Sequence, residues 1–146
     1  MTEVTELPKD ACTLADLHKA SRLLTIIYNE HLKDTGATIK QLSMLKAVLR
    51  LGPLDITTLS SAMAMERTST SRLLNPLIAR GLLASNTGSD RRQKNISITM
   101  LGREMVSRCQ PLWRQAQDEL MSRLGETKWS VLNGAIADLL HELDRQ

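Results

Sequence analysis

Apolar residues recur at intervals of three and four in six segments of the chain, and this spacing predicts a mainly helical protein. Polar or glycine-containing breaks between the segments set the approximate limits of the helices. The predicted helices span about 14–34, 38–51, 56–63, 66–80, 100–124 and the residues after Gly125.

Residues 82–98 follow a different pattern. A short apolar run at 82–84 is followed by turn-forming residues at 86–90 and by alternating apolar and polar residues at 95–98. This order predicts a small β-hairpin within the helical chain. No repeat, low-complexity tract or linker divides the sequence, so we expect one domain over 1–146.

The composition agrees with a helical fold. The chain has 25 leucines and seven methionines against eight isoleucines and four valines. Straight-chain and γ-branched residues favour helices, whereas β-branched and aromatic residues favour sheets. A chain of 146 residues is also long enough to bury its own core.

The sequence excludes several classes of protein. No apolar run approaches the roughly 18 residues of a membrane span, and the acidic, polar N-terminus is unlike a signal peptide. Cys12 and Cys109 are too few and too far apart to form a disulfide framework. We therefore expect a cytoplasmic protein without a membrane partner.

The positive charge is concentrated in one part of the chain. The net charge of the whole sequence is only +3, but residues 66–94 contain six basic and two acidic side chains, a net charge of +4. A localised basic segment is a better electrostatic match for phosphate than a diffuse excess. A solvated surface segment is the alternative interpretation of the charge alone.

A helix-turn-helix pattern lies within this basic segment. Two predicted short helices are separated by a three-residue turn, and the second begins with a run of hydroxyl and guanidinium side chains. Such residues at the start of a recognition helix can contact base edges and phosphates in the major groove. The alternative is a Ser/Thr-rich helix start that caps itself. The candidate contacts are Arg67, Thr68, Thr70, Ser71 and Arg72.

The hairpin follows this helix directly and carries a basic turn, which is the order of elements in a winged helix. Arg91, Arg92 and Lys94 are positioned to reach the minor groove or the flanking phosphates. Asp90 is expected to brace a neighbouring arginine through a charge-assisted hydrogen bond. An exposed, charged hairpin tip is the alternative.

The sequence resembles the MarR-type bacterial transcription regulators over nearly its whole length. The segments that carry the resemblance are 20–22, Gln41, 57–63, 65–74, 77–83, 90–92 and 98–103. The Asp-Arg-Arg wing and the Ile-Thr-x-x-Gly-Arg start of the long helix are its most specific parts.

The resemblance implies a homodimeric winged helix that binds a palindromic double-stranded DNA operator. It assigns 1–34 and 100–146 to dimerisation and 38–98 to the DNA-binding lobe. At matching positions, Thr68, Thr70, Ser71 and Arg72 become groove contacts, and Arg92 becomes the wing-tip contact braced by Asp90.

The sequence departs from the family pattern at three places. Ala64 occupies a turn position that is often glycine, so we expect a turn that needs no positive φ there. Ala84-Ser85 replaces a basic residue that offers a phosphate contact, and Asn75-Pro76 replaces charged residues late in the recognition helix. DNA affinity is therefore expected to be modest.

The last predicted helix supports a dimer independently of the resemblance. It presents at least five large aliphatic residues, and a winged-helix core needs only about three helices. The surplus apolar face is expected to pack on a second copy, with packing inside the same chain as the alternative.

Regulators of this family often respond to small phenolic or lipophilic ligands bound between the dimer helices and the DNA-binding lobe. Adaptable methionine side chains suit such ligands, although ordinary core packing explains each residue equally well. The candidate pocket residues are Tyr28, His31, Met44, Met63 and Met65.

Some members of the family sense peroxides through a cysteine near the start of the first helix. Cys12 lies two residues before the matching position, and a helix N-terminus can activate a thiol. Cys109 is expected to be buried and inert.

No enzyme, metal or cofactor motif is present, and none of the three histidines has a local partner motif. The sequence therefore predicts a DNA-binding transcription regulator, specifically a repressor released by a small effector. The alternatives are a redox-sensing regulator that uses Cys12 and a helical protein-interaction module that has lost DNA binding.

Overall fold

The computed structural model describes residues 8–87 and 94–145, and confirms a mainly helical fold with a small sheet. Within these residues there are six α-helices, one short 3-10 helix at Lys33–Thr35 and three strands. The helices are α1 (Thr13–Leu32), α2 (Ile39–Leu51), α3 (Ile56–Ala62), α4 (Arg67–Ala79), α5 (Met100–Leu124) and α6 (Glu126–Leu143). The strands are β1 (Leu54–Asp55), β2 (Leu83–Thr87) and β3 (Lys94–Ile98).

The predicted hairpin is present, but it belongs to a three-stranded antiparallel sheet in the order β1-β3-β2. Leu83 pairs with Ile98, and Leu54 of β1 pairs with Ile96 on the other side of β3. The sequence analysis missed β1 because two residues are too short to show an alternating pattern.

Hydrogen-bonding side chains begin three of the helices. Thr38 and Gln41 form a reciprocal capping box at the start of α2. Asp55 caps α3 by accepting the Thr58 N–H at 2.7 Å. Thr99 caps α5 by accepting the Gly102 N–H at 3.0 Å.

The main core lies mostly within residues 38–98, which we call the lobe. Five leucines of α2, α3 and α4 are fully or almost fully buried, together with Leu82, Leu83 and Ile96 of the sheet region; they are Leu42, Leu45, Leu59, Leu74 and Leu77. The first half of α5 contributes Met105, Val106 and Cys109 to the same cluster. The core therefore fixes α3 and α4 relative to both the sheet and the long helix.

The start of α5 lies unusually close to the end of α4. Gly81, with φ of +72°, ends α4, and the Leu82 N–H reaches back to the Leu77 carbonyl at 2.9 Å. The Thr99 hydroxyl lies 2.6 Å from the Gly81 carbonyl oxygen and 3.0 Å from that of Leu82. A Cβ at Gly102 would lie 2.1 Å from the Leu82 oxygen, so only glycine fits there. We call Gly81, Leu82, Thr99 and Gly102 the α5 joint.

Helices α1 and α6 both pack against α5 outside the lobe. No residue of α6 is buried, and five of its six large exposed apolar residues form one stripe, four of which border a furrow with α1. On α6 these are Leu132, Ile136, Leu139, Leu140 and Leu143. No helix in the described part of the chain is both long and apolar enough to cross a membrane.

Substitution of Gly102 tests the α5 joint. Gly102→Ala is expected to lower the free energy of unfolding by about 1–3 kcal/mol, because the new methyl group meets backbone that cannot move aside cheaply. Chemical denaturation followed by circular dichroism measures this loss.

Gly134→Ala is the matched control, because a Cβ at Gly134 has no atom within 4 Å. Gly134 lies in the interior of α6, where alanine is expected to stabilise a helix by about 0.5–1 kcal/mol. Equal effects of the two substitutions would show that the close approach at Gly102 does not constrain the fold.

Candidate nucleic-acid interface

A tight turn connects α3 to α4 and sets the angle between them. The N–H groups of Met63, Ala64 and Met65 donate to carbonyls of α3 at 2.9–3.1 Å. Ala64 has φ of +49°, so the expectation of a turn without positive φ was wrong. Because an alanine Cβ disfavours this region by roughly 1–2 kcal/mol, the surrounding hydrogen bonds and packing hold the turn in place.

The first two turns of α4 present a mainly exposed polar face, as predicted. Arg67, Thr68, Ser69 and Arg72 are exposed, and Ser71 is half-buried. Within the described residues, neither guanidinium lies at ion-pair distance from a carboxylate. The two cations are therefore available to an external anion.

Thr70 does not belong to this exposed face, and its predicted role as a groove contact is wrong. Its side chain is 0% exposed, and its hydroxyl donates to the Glu66 carbonyl at 3.0 Å. Thr70 lies four residues before Leu74 and seven before Leu77, both buried. That spacing places all three on the inner side of α4, and it was a signal that the sequence analysis overlooked.

A cleft of about 400 Å³ separates α4 from the sheet. Its polar side chains come from three successive turns of α4 and from the two facing strands. They are Arg67, Ser71, Asn75, Ser85 and Lys94, above a floor of Ile56, Leu74, Ile78 and Ile96. Among the described residues, the lining includes two cations, three neutral hydrogen-bonding groups and no carboxylate.

Asn75 and Ser85 are the two cleft residues that the sequence analysis did not assign. Both were noted only as departures from charged residues in the family. Their position depends on α4 facing β2 across the cleft, which no local pattern encodes. A neutral amide and a hydroxyl can still form hydrogen bonds to phosphate oxygens.

The wing tip cannot be placed in the same way. Asp90, Arg91 and Arg92 lie outside the described residues, so their predicted roles stay predictions. Lys94 is described, and it begins β3 opposite Thr87, the last residue of β2.

Asp55 adds a negative charge near the start of α4. The backbone N–H of Thr58 is the main cause that lowers the pKa of the Asp55 carboxyl, and the charge of Arg67 contributes a smaller part. Asp55 is thus ionised at neutral pH and holds α3 at its N-terminus.

Three of the five predicted effector residues line cavities beside the DNA-binding lobe. Met63 and Met65 line a cavity of about 330 Å³ between α1, α2 and the α3–α4 turn. Tyr28 lines a furrow of about 520 Å³ between α1 and α6, and burial raises the pKa of its hydroxyl. Ser21, Thr25 and Ile39 border both spaces, which therefore adjoin.

The other two predicted residues have different surroundings. Met44 is 0% exposed and belongs to the main core, so it is not a wall of either cavity. The His31 Nε2 donates to Glu119 on α5 at 2.7 Å, and Arg123 also contacts Glu119. These partners lower the pKa of the Glu119 carboxyl, with the His31 hydrogen bond as the main cause. His31 therefore connects α1 to α5.

The two cysteines occupy contrasting sites. Cys12 is exposed at the N-terminal boundary of α1, and Cys109 is fully buried in the core, as predicted. Among residues 8–87 and 94–145, no group of three or more histidine, cysteine or acidic side chains is arranged to hold a metal ion.

Comparison with known proteins identifies the fold. No protein-family model matches the sequence, and no curated protein matches it. Among solved structures, the transcriptional regulator MosR of M. tuberculosis, in complex with DNA, is 31% identical. The match covers 93% of this chain and 100% of MosR, with a TM-score of 0.78.

Two further regulators share the fold at lower identity. MarR of E. coli in its apo form is 17% identical, covering 89% of this chain and 98% of MarR, with a TM-score of 0.75. BpsR of Bordetella bronchiseptica, whose DNA binding is regulated by 6-hydroxynicotinic acid, is 22% identical. That match covers 97% of this chain and 99% of BpsR, with a TM-score of 0.77. The helix-turn-helix, the sheet and the full-length match to MosR together show that the chain belongs to the MarR family of transcriptional regulators.

Proposed function

We propose that the protein is a homodimeric repressor that binds a palindromic operator through α4 and the wing and is released by a small aromatic effector. The cleft between α4 and the sheet, whose described lining holds two cations and no carboxylate, carries the first part of this proposal. Arg67 and Lys94 flank the cleft, and Arg72 projects from the adjacent exposed face of α4.

The proposed docking divides the residues into two groups. Thr68 and Arg72 on the exposed face of α4 contact base edges in the major groove, where arginine recognises guanine. Arg67, Ser71 and Lys94 in the cleft bind the sugar-phosphate backbone. Arg91 and Arg92, braced by Asp90, extend these contacts beyond β2 and β3.

Substitution of the two groups separates base recognition from phosphate binding. Arg72→Gln is expected to weaken operator binding by about 1–3 kcal/mol and to relax the sequence preference. Lys94→Gln is expected to weaken binding to all duplexes alike and to lower the salt slope by about 2 in a dimer. Fluorescence anisotropy measures the affinity and its salt slope. The test duplex is the region upstream of the protein's own gene, and a scrambled duplex of the same composition is the non-specific reference.

Arg145→Gln is the control for the loss of one positive charge. Arg145 is exposed near the end of the chain, where it lies 3.7 Å from Glu142 and far in sequence from the lobe. Binding that is unchanged in strength and salt slope in both Arg72→Gln and Lys94→Gln would show that the assigned surface is wrong. A wild-type protein that binds no DNA would favour a protein-interaction module instead.

The second part of the proposal is the homodimer. The furrow between α1 and α6 is lined largely by apolar residues, including Leu17, Leu24, Ile136 and Leu139. Contiguous exposed apolar surface is uncommon on monomers and marks association sites. An identical copy related by a two-fold axis presents the same stripe, so the two faces can cover each other.

A charge within the stripe tests the dimer. Ile136, 39% exposed, is central to the stripe, and Ile136→Glu is expected to convert a dimer into a monomer because a desolvated carboxylate is costly. Size-exclusion chromatography with light scattering measures the mass.

Val131→Glu is the matched control on the same helix. Val131 is 67% exposed and lies about 140° around α6 from Ile136, away from the stripe. A dimer that survives Ile136→Glu but dissociates in Val131→Glu would place the interface on the other side of α6.

The third part of the proposal places the effector in the cavity of about 330 Å³ between α1, α2 and the α3–α4 turn. Met63 and Met65 flank Ala64 in the turn, and Leu73 brings α4 into the wall. Lys40 offers a cation to an acidic substituent, and Ser43 offers a hydroxyl. A ligand here touches the turn that orients α4, which gives it a route to DNA binding.

Hydroxylated aromatic acids are the matching probes, beginning with 6-hydroxynicotinic acid, the compound that regulates BpsR. A binding compound is expected to raise the unfolding temperature, since a ligand at 100 times its Kd adds about 2.7 kcal/mol of stability. The same compound is expected to weaken operator binding.

Lys40→Gln is expected to diminish the thermal shift given by acids, whereas Lys33→Gln leaves it unchanged. Lys33 is a suitable control because it is an exposed lysine that pairs with Glu30 and lines neither cavity. Equal shifts in all three proteins would exclude Lys40 from the effector site.

A further inference from the structure

The buried hydroxyl of Thr70 lies near the start of α4, where most of the neighbouring polar side chains point outward. In the first two turns of α4, the side chains of Arg67, Thr68, Ser69 and Arg72 are exposed, while that of Thr70 is fully enclosed. A buried hydroxyl is costly unless it is hydrogen-bonded, and a valine of the same shape would fill the space without that requirement. The hydroxyl therefore calls for a structural explanation.

Thr70 forms a hydrogen bond across the helix-turn-helix. Its Oγ1 lies 2.9 Å from the Oγ of Ser60, which is buried on α3. Within the part of the chain that the structure describes, this is the one side-chain hydrogen bond that joins α3 to α4. Ser60 also accepts the Met65 N–H through its carbonyl at 2.9 Å.

Two backbone carbonyls compete for the hydroxyl hydrogens of the pair. The Ser60 Oγ lies 2.7 Å from the Ile56 carbonyl, and the Thr70 Oγ1 lies 3.0 Å from the Glu66 carbonyl. Carbonyls only accept, so the two hydroxyl hydrogens can serve two of these three contacts at a time. Two arrangements link the helices: Ser60 donates to Thr70 while Thr70 donates to Glu66, or Thr70 donates to Ser60 while Ser60 donates to Ile56.

Apolar packing sets which face of α4 turns inward, but it resists a small roll of the helix less sharply than a directional hydrogen bond does. The contacts of Leu59, Leu74 and Leu77 resist separation of the helices but are not directional. A roll of α4 by about 20° moves a side-chain end that lies about 6 Å from the axis by about 2 Å. That displacement exceeds the range of hydrogen-bond lengths, so base contacts from Arg72 require a fixed roll.

We propose that Ser60 and Thr70 form a positioning pair that fixes the roll of α4 and thereby sets discrimination between operator and other DNA. The inference rests on the proposed DNA-binding function. Thr70 acts through the placement of exposed neighbours and does not touch DNA. Backbone phosphate contacts tolerate a small roll better than base contacts do, because long lysine and arginine side chains can follow a phosphate.

Thr70→Val is the central variant because valine keeps the shape and removes the hydroxyl. Ser60 can then donate to Ile56, so no buried group is left unpaired. The measured quantity is the ratio of Kd for a scrambled duplex to Kd for the best duplex that the wild-type protein selects from a random pool. Thr70→Val is expected to reduce this ratio about tenfold, with a change of less than about threefold for the scrambled duplex.

Thr70→Ser and Thr35→Val are the comparison variants. Thr70→Ser retains the hydroxyl and is expected to keep the ratio within about threefold of the wild type. Thr35 is buried outside the helix-turn-helix and its hydroxyl donates to the Leu32 carbonyl at 2.7 Å, so Thr35→Val removes a similar buried hydroxyl that does not link α3 to α4. Its ratio is expected to equal that of the wild type. Ser60→Ala removes the same hydrogen bond by changing its partner on α3, and it replaces Thr70→Val as the test variant if Thr70→Val does not fold.

Four outcomes decide the inference. A lowered ratio in Thr70→Val that Thr70→Ser restores supports the positioning pair. An unchanged ratio in folded Thr70→Val and Ser60→Ala overturns it, as does a loss in Thr70→Ser equal to that in Thr70→Val. A wild-type protein that discriminates no duplex from its scrambled counterpart overturns the proposed function and this inference with it.

Discussion

The first turn of α5 meets the end of the DNA-binding lobe backbone to backbone, and the relation between the two halves of the chain depends on this contact. The Thr99 hydroxyl lies at the Gly81 and Leu82 carbonyls while accepting the Gly102 N–H, so one side chain serves both as helix cap and as link to the lobe. The missing Cβ at Gly102 permits the approach. Because α1 and α6 pack on α5, the direction in which α5 leaves the lobe determines where both helices lie.

Local signals were sufficient for most of the helices. Caps such as Thr38 and Thr99, and breakers such as Gly81, act within a few residues, so the sequence predicted helix limits that agree closely with the structure. Strand β1 was missed because its pairing partner at Ile96 is 42 residues away. The positive φ of Ala64 was mispredicted because tertiary contacts, and not the residue's own preference, hold the turn.

The candidate site was predictable in composition but not in orientation. The sequence identified the basic segment and the polar start of α4, yet a run of adjacent hydroxyls does not show which of them faces the core. Packing of Leu74 and Leu77 decides that, and it turns Thr70 inward. The same limit applies to the predicted effector residues. The side chains of Met44 and Met63 are equally adaptable, but of the two only Met63 borders a cavity. Residues that face one another across a cleft, such as Asn75 and Ser85, depend wholly on the fold.

Helix α6 buries no side chain within its own chain, and this has a consequence for how the protein responds to its own abundance. In the proposed dimer, the order of α6 and the spacing of the two recognition helices both follow from association, which obeys mass action. Dilution below the dissociation constant of the dimer would therefore make α6 less ordered. It would also separate the two recognition helices, so that each would bind its half-site independently. Occupancy of a palindromic site would then rise more steeply than in proportion to subunit concentration, so small changes in synthesis or degradation of the protein would be amplified at the DNA.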